Sequence, residues 1–447
     1  MPEADTSEPS STARRSTNTR LPTMLRALRS RNFQLFFSGQ LISLVGTWMD
    51  TIAESWLVYR LTGSSLLLGT VAFASQIPVF LMAPLGGMAA DRWDRRTIVL
   101  ATQSTSMILA FALAFLTLSG RIKVWEVIVL ASLMGVVNAF DIPARQAFLV
   151  DMVGREDLIN AIALNSSMFN GARVIGPSIA GILVAKYGEG WCFFANAVSY
   201  FAVIAGLVMM RVPRTLFEKH SASPFEHIAE GFRFVSNTAP IRVILMLLGL
   251  VSLVAMPYSV LMPIFAEHIL HGDARTLGVL MGATGIGALT GALVLATRTG
   301  VRGLGRWVWM ACAGFGTSLI LFAFSRWYVI SALLLIPVGF TMMVQMASSN
   351  TLIQSMVPDR LRGRTMAVYS MMFMGMAPLG ALFSGALADR ISAPWTVALG
   401  GLGAIAGAAA FARQLPGIRV EARELIIAQG MSGGEPAAEM TSRAVTE

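Results

Sequence analysis

Charge is what this chain lacks most. Only 13% of its 447 residues are Asp, Glu, Lys or Arg, against roughly a quarter in a soluble domain, while 55% are hydrophobic. A chain so poor in charge cannot cover a fold with polar groups, so a soluble globular protein is excluded. Cysteine numbers two and histidine four. Cys192 and Cys312 each lie in an apolar stretch, which leaves no disulfide framework. The Glu267-His268-x-x-His271 run is too short a constellation to read as a metal site. There is no Walker sequence, no His-Glu-x-x-His and no Gly-x-Ser-x-Gly. Gly285-Ile286-Gly287 and Gly401-Leu402-Gly403 lie inside apolar runs with no strand before them, so they read as helix-packing faces rather than nucleotide loops. The net charge of +9 is spread over short segments between apolar runs. That pattern belongs to membrane topology rather than to nucleic-acid binding.

What the chain has is long apolar runs, and its mean hydropathy is +0.65. A bilayer-spanning helix needs roughly 20 mainly apolar residues. Twelve such segments fit, at 33–59, 66–90, 97–118, 124–142, 161–184, 191–211, 241–267, 276–297, 307–325, 328–350, 365–388 and 395–413. The one long gap, 212–240, separates six from six. The organisation expected is therefore a disordered tail over 1–32, a six-helix bundle over 33–211, a linker over 212–240, a second bundle over 241–413 and a tail over 414–447. In the linker, Ser223-Pro224-Phe225-Glu226 carries a cap, a first-turn proline and an acid. Phe225, Ile228, Phe232 and Val235 then recur at helical spacing, which predicts an amphipathic helix lying in the membrane interface.

The basic residues test this count. With residues at the very ends of spans counted with the adjoining loop, 26 of the 34 Lys and Arg fall on the side of the two termini, 7 on the opposite side and one, Arg173, deep within a span. Such a bias predicts that both termini lie in the cytosol. The two halves also repeat at an offset of about 200. The stretch from Asn138 through Gln146 to Gly176-Pro177 parallels the one from Asn350 through Gln354 to Ala377-Pro378. Parallel six-helix repeats are a mark of transporters that bind substrate between two halves.

The loop after the second span reads Gly87-Met88-Ala89-Ala90-Asp91-Arg92-Trp93-Asp94-Arg95-Arg96. It resembles the Gly-x-x-x-Asp-Arg-x-Gly-Arg-Arg signature of the major facilitator superfamily. The resemblance implies a gate latch made by Gly87, Asp91, Arg92, Arg95 and Arg96 that stabilises the outward-open state. Gly87 would allow close helix approach, Asp91 would face a helix N-terminus, and the arginines would bind carboxylates or headgroups. Asp94 stands where the signature has glycine. Gly385-Ala386-Leu387-Ala388-Asp389-Arg390 matches by letters but falls on the opposite side, so it reads as a decoy, and Asp389→Asn is expected to do little.

The fifth span carries Gly171, Gly176, Pro177 and Gly181 in a pattern resembling the antiporter motif of exporters in the superfamily, with Ala180 in place of one glycine. Trp56 through Ser64, Pro143-Ala144-Arg145-Gln146 and Val357 through Arg364 resemble the branch that holds enterobactin exporters and macrolide efflux pumps. The fold so implied is an all-α membrane protein, twelve transmembrane helices in two pseudo-symmetric six-helix bundles. The function so implied is proton-driven efflux of an amphipathic organic compound, a drug or siderophore, by a monomer that needs no cofactor and binds no nucleic acid. A small-solute importer of the same fold and a non-transporting membrane sensor or scaffold are the alternatives.

Within the first span, Gln40, Ser43, Thr47, Asp50 and Glu54 form one polar stripe. Acids in a span cost at least ~2.5–3.5 kcal/mol on the insertion scale and by default mark ion pathways. Asp50 is accordingly the coupling candidate, and Glu54 is either its partner or a solvated rim charge. Gln40, Thr47, Gln76, Asn165, Asn170 and Arg173 are candidates for the substrate cavity. Arg173 meets either a substrate anion or a structural acid on a neighbouring helix. Nine methionines between Met342 and Met376 offer either an adaptable surface or plain helix core.

Overall fold

The computed structural model describes residues 23–154, 156–211, 224–298 and 300–429, and among these all regular secondary structure is helical. A short 3-10 helix (Thr23–Arg29) leads into the first bundle, α1 (Arg31–Thr62), α2 (Ser65–Arg92), α3 (Arg95–Leu118), α4 (Val124–Val153), α5 (Leu158–Tyr187) and α6 (Glu189–Met209). The linker helix is α7 (Pro224–Asn237). In the second bundle, α8 (Ala239–Val254) and α9 (Met262–Ile264) belong to one span that is interrupted by a 3-10 turn and ends in a π turn. Pro257 and Pro263 account for the interruption, since neither has an N–H for the helical ladder. Then follow α10 (Ala274–Ala296), α11 (Leu304–Phe324), α12 (Tyr328–Met356), α13 (Asp359–Ile391) and α14 (Ala393–Ala428).

Eleven described helical segments are long and apolar enough to cross a membrane. The twelfth expected span, α1, is long enough at 32 residues, about 48 Å at ~1.5 Å per residue. Its polar stripe lowers its hydropathy. Burial against α6 and α5 gives it the protection that its composition does not. A Cβ on Gly39 would sit 2.7 Å from the Ala202 carbonyl oxygen, and one on Gly176 would sit 2.4 Å from Trp48.

The repeat is visible in how the helices touch. A Cβ on Gly86 of α2 would lie 1.9 Å from the Ala139 carbonyl oxygen of α4, and one on Gly135 would lie 2.4 Å from that of Ser75. In the second half, Gly287 of α10 stands 1.9 Å from the Ile336 carbonyl oxygen and Gly339 of α12 stands 1.9 Å from that of Thr284, on the same reckoning. Backbones brought this close by small residues are how helices associate where lipid is as apolar as leucine.

The two faces of the molecule differ in charge. The α2–α3, α4–α5, α10–α11 and α12–α13 connections lie with α7 on the arginine-rich face, and the α1–α2, α3–α4, α5–α6, α9–α10, α11–α12 and α13–α14 connections lie on the arginine-poor face. The bundles meet through α5 with α10 and α2 with α13, from the arginine-poor ends to about mid-depth. A Cβ on Gly181 would fall 2.8 Å from the Ala274 carbonyl oxygen, and one on Gly69 would fall 2.4 Å from that of Ala381. Deeper in, Gly375 of α13 faces the Phe80 ring of α2.

Some boundaries move. The fourth span, expected to end at 142, continues as α4 to Val153, and α14 continues past the expected end at 413, through Pro416, to Ala428. The linker helix forms as expected over 224–237, but it packs on α13 rather than lying free in the interface. Gly231 meets the Arg364 carbonyl, Val235 is buried, and Glu230 pairs with Arg364. Phe232 is the residue of that stripe left exposed. The Ser223 cap, the Phe225 and Ile228 side chains, tail residues 1–22 and residues 430–447 lie outside the described residues.

Candidate functional site

On the arginine-rich face the signature loop is half engaged. Asp94 caps α3, its carboxylate accepting from Thr97 N at 2.9 Å. An acid in place of glycine is therefore accommodated, because the position is an N-cap with φ −59° that needs no left-handed residue. Arg95 donates through Nη1 to both oxygens of Asp151 at 3.1 Å, tying α3 to the end of α4. Arg96 donates to the Leu207 and Val208 carbonyls at the C-terminus of α6, where a cation is favoured. Asp91 and Arg92 are exposed, and no described residue pairs with them. Gly87 is open, with nothing within 4 Å of where a Cβ would be. The close approach expected of Gly87 belongs instead to its neighbour Gly86.

The opposite face corrects the sequence reading more sharply. Asp389, read as a decoy, accepts from Ser65 N at 2.9 Å and from Ser64 Oγ at 3.4 Å. It thus caps the N-terminus of α2 from across the bundle boundary. Four residues earlier, Gly385 fits against the Ser65 carbonyl and Gly69. The Gly-x-x-x-Asp-Arg of α13 does at this face what the same letters in α2 are expected to do at the other. Among the described residues, the direct hydrogen bonds between the bundles are these two, and the Tyr59 ring packs edge-on against His268 nearby, centroids 5.8 Å apart. Side-chain hydrogen bonds thus tie the bundles together on the arginine-poor face, and none among the described residues does so on the other.

The polar stripe of α1 turns into its own bundle rather than toward the other. Gly39 and Gly46 mark the face against α6, and Asp50 follows them on it, one turn past Gly46. Asn196 of α6 lies against Gly46, and its Oδ1 and Asp50 Oδ1 are both buried without hydrogen-bond partners. Gln40 is 3% exposed, with Oε1 likewise unpartnered. Thr47 is exposed and bonds its own helix at Ser43 O. Glu54 is half-buried. Gln76 is exposed on α2, Asn165 is half-buried on α5, and Asn170 is spent on the Ser166 carbonyl at 2.9 Å. The structure thus brings Asp50 together with Asn196 but leaves Gln76 and Asn165 apart from that cluster.

Arg173 has no acid within 4 Å among the described residues. Its guanidinium lies over the Trp48 ring of α1 at 5.6 Å from the centroid, a cation–π contact that holds a charge without neutralising it. Gly285 of α10 packs against its backbone. A half-buried cation at mid-depth, where the bundles meet, is the arrangement that can receive an anionic or polar group. Of the antiporter motif, Gly176 seats Trp48, Gly181 seats α10 and Gly171 is open.

Residues 23–442 match the transmembrane secretion effector family of the major facilitator superfamily. The chain belongs to that family. The transporter is 26% identical to the staphyloferrin A transporter of Staphylococcus aureus over 83% of this chain and 93% of that one. It is 28% identical to the multidrug efflux pump Tap of Mycolicibacterium fortuitum, over 79% and 88%. It is 24% identical to the enterobactin exporter EntS of Salmonella typhi, over 83% and 89%. Among solved structures, a POT family transporter in complex with 5-aminolevulinic acid superposes with a TM-score of 0.70 at 10% identity, covering 87% of this chain and 97% of that one. The protein is a multi-pass membrane transporter, not an enzyme.

Two features of the transporter escaped the sequence reading. Asp141 on α4 is 2% exposed, accepts from Thr102 Oγ1 at 2.8 Å and Gln103 Nε2 at 2.9 Å, and pairs with Arg145 at 3.3 Å. The signal was an acid followed four residues on by arginine within an apolar run. In the second bundle, Gln345, Ser348 and Ser349 of α12 hold buried side-chain polar atoms without partners. Their helical spacing sits within the methionine-dense stretch, where Met342 and Met356 are core, and it was passed over as packing.

Proposed function

We propose that this transporter is a proton-driven exporter of an amphipathic organic compound, working by alternating access with its arginine-rich face in the cytosol of a bacterial inner membrane. The observation that carries this reading is the pair of matching latches in opposite conditions. The Asp389 cap is made, and Asp91 has no partner among the described residues. Two faces that cannot both be latched make a two-state device, and bundles joined on the arginine-poor face support a state that loads from the arginine-rich side, which on this reading is the cytosol. The relatives named as an enterobactin exporter and a multidrug efflux pump support the outward direction.

Substrate enters between the bundles, with Arg173 and Trp48 offering a charge and a ring at mid-depth. Proton entry supplies the work. Asp50 is the acceptor, with Glu54 one turn further toward the arginine-poor face. Each charge that enters adds about 2.3 kcal/mol per 100 mV of membrane potential. Accumulation of labelled siderophores and drugs in energised inverted vesicles tests the reading. Uptake that collapses with an uncoupler is expected. Uptake indifferent to the uncoupler refutes proton coupling, and uptake only in right-side-out vesicles refutes export.

A further inference from the structure

A cavity of about 740 Å³ lies well away from the bundle boundary, at the arginine-rich end of the second bundle. Its size is that of a small-molecule site. Its walls come from the start of α8, the α10–α11 loop, the end of α12 and the continuation of α14 that the sequence reading did not foresee. Leu352, Phe411 and Leu415 line its apolar floor. Four cations, Arg302, Arg306, Arg419 and Arg423, stand around it. All four are exposed, and none makes an ion pair with a described acid. The acids of the α14 continuation, Glu421 and Glu424, do not line the cavity. Nη1 of the neighbouring Arg298 is also buried without a partner. Excess positive charge on this face is general, but elsewhere it sits on short loops. Here it rims a concave apolar hollow at the depth where a span ends.

We propose that this cavity is a binding site for an anionic phospholipid, its phosphate held by the four arginines and the upper part of its acyl chains laid on the Leu352–Phe411–Leu415 floor. Charge complementarity selects this occupant. A neutral substrate would leave four guanidinium groups unanswered, and a free phosphate would leave the apolar floor wet. Basic pockets between transmembrane helices take lipid headgroups in this way. The bound lipid would brace α14 against α11 and α12, the outer wall of the moving bundle. That the lipid comes from the cytosolic leaflet rests on the orientation proposed above. Binding to the purified protein does not, so the two can fail separately.

The test uses the full-length transporter in neutral detergent, with phosphatidylglycerol, phosphatidylcholine and glycerol phosphate as probes, read by native mass spectrometry and by thermal unfolding. Phosphatidylglycerol is expected to remain bound and to raise the unfolding temperature saturably, while the other two do neither. R306Q/R423Q should weaken phosphatidylglycerol by about fivefold for each arginine removed. R29Q/R31Q, an equal loss of charge at exposed positions of the first bundle, should bind as the parent does. Ala412→Trp, which fills the cavity and keeps every arginine, should also lose the lipid and covers the case in which R306Q/R423Q fails to fold. Equal binding of phosphatidylcholine, full binding by Ala412→Trp, or glycerol phosphate acting as well as the lipid would each overturn the proposal.

Discussion

Replacing Asp389 by alanine removes a contact that exists in only one of the two states. In the closed arginine-poor face its carboxylate caps α2 through Ser65 N at 2.9 Å. When the bundles part there, that N-terminus is left to water. Ser64 goes on capping Leu67 N, so Asp389 contributes what an exposed carboxylate bonded to a helix N-terminus does, about 0.3–1 kcal/mol, and its direct bond to Ser65 N argues for about 1 kcal/mol. The whole of that difference falls on the equilibrium between the states, so the population open on the arginine-poor face should rise about fivefold. Asparagine keeps a cap acceptor and loses the charge, so Asp389→Asn should move the equilibrium less, in the same direction. Spin labels on cysteines at Leu61 and Ile391 report the separation. The native Cys192 and Cys312 are buried and free, so background labelling is low. A distance distribution unchanged in Asp389→Ala would refute the latch, and so would an identical change in Asp91→Asn, since that acid belongs to the other state.

Asp91→Asn should instead lower transport with expression retained, because it weakens the cytosol-closed state by about 0.3–1 kcal/mol; flux in vesicles at matched protein level checks this. Asp50→Asn should abolish uphill efflux and spare downhill exchange, with a milder defect in Glu54→Gln; proton uptake recorded alongside flux decides it, and normal coupling in Asp50→Asn would make that residue structural. Gly86→Ala should lose at least ~1–3 kcal/mol of stability to overpacking against the Ala139 carbonyl, while Gly87→Ala, which meets nothing, should unfold as the parent does. Reporter fusions after Arg92 and Arg419 should read cytosolic and those at Gly63, Gly188 and Gly272 external; one reporter on the wrong side would break the orientation.

Eleven of the expected spans were legible because they are written in local composition. A stretch such as 328–350 is apolar enough to need lipid whatever surrounds it, and the bias of basic residues is summed over loops without knowing where any helix packs. The signature loop could be recognised from its letters, but that Asp94 caps α3 and that Arg95 reaches Asp151 were not read from them. The span expected at 33–59 forms as the helix α1, though it is not among the eleven segments apolar enough to cross a membrane.

Partners far apart in the chain were not legible. Asp389 and Ser65 are separated by more than 300 positions, and the letters around Asp389 say what it can bind but not which helix end it meets. The α1 stripe had a readable period but no readable direction, and Gly39 and Gly46 against α6 settled that it faces inward. Arg173 was identifiable as a buried charge, yet only the packing of α5 on α1 put Trp48 beneath it rather than an acid. The end of α14 escaped because its continuation is too polar to read as a span and is held by the floor it forms with α11 and α12. Periodicity and composition are properties of a segment, so the sequence alone determined the elements and which of their ends carry the arginines. Which elements meet depends on the packing of whole helices against one another, so only the tertiary structure decided the latch, the direction of the acids and the arginine-rimmed cavity.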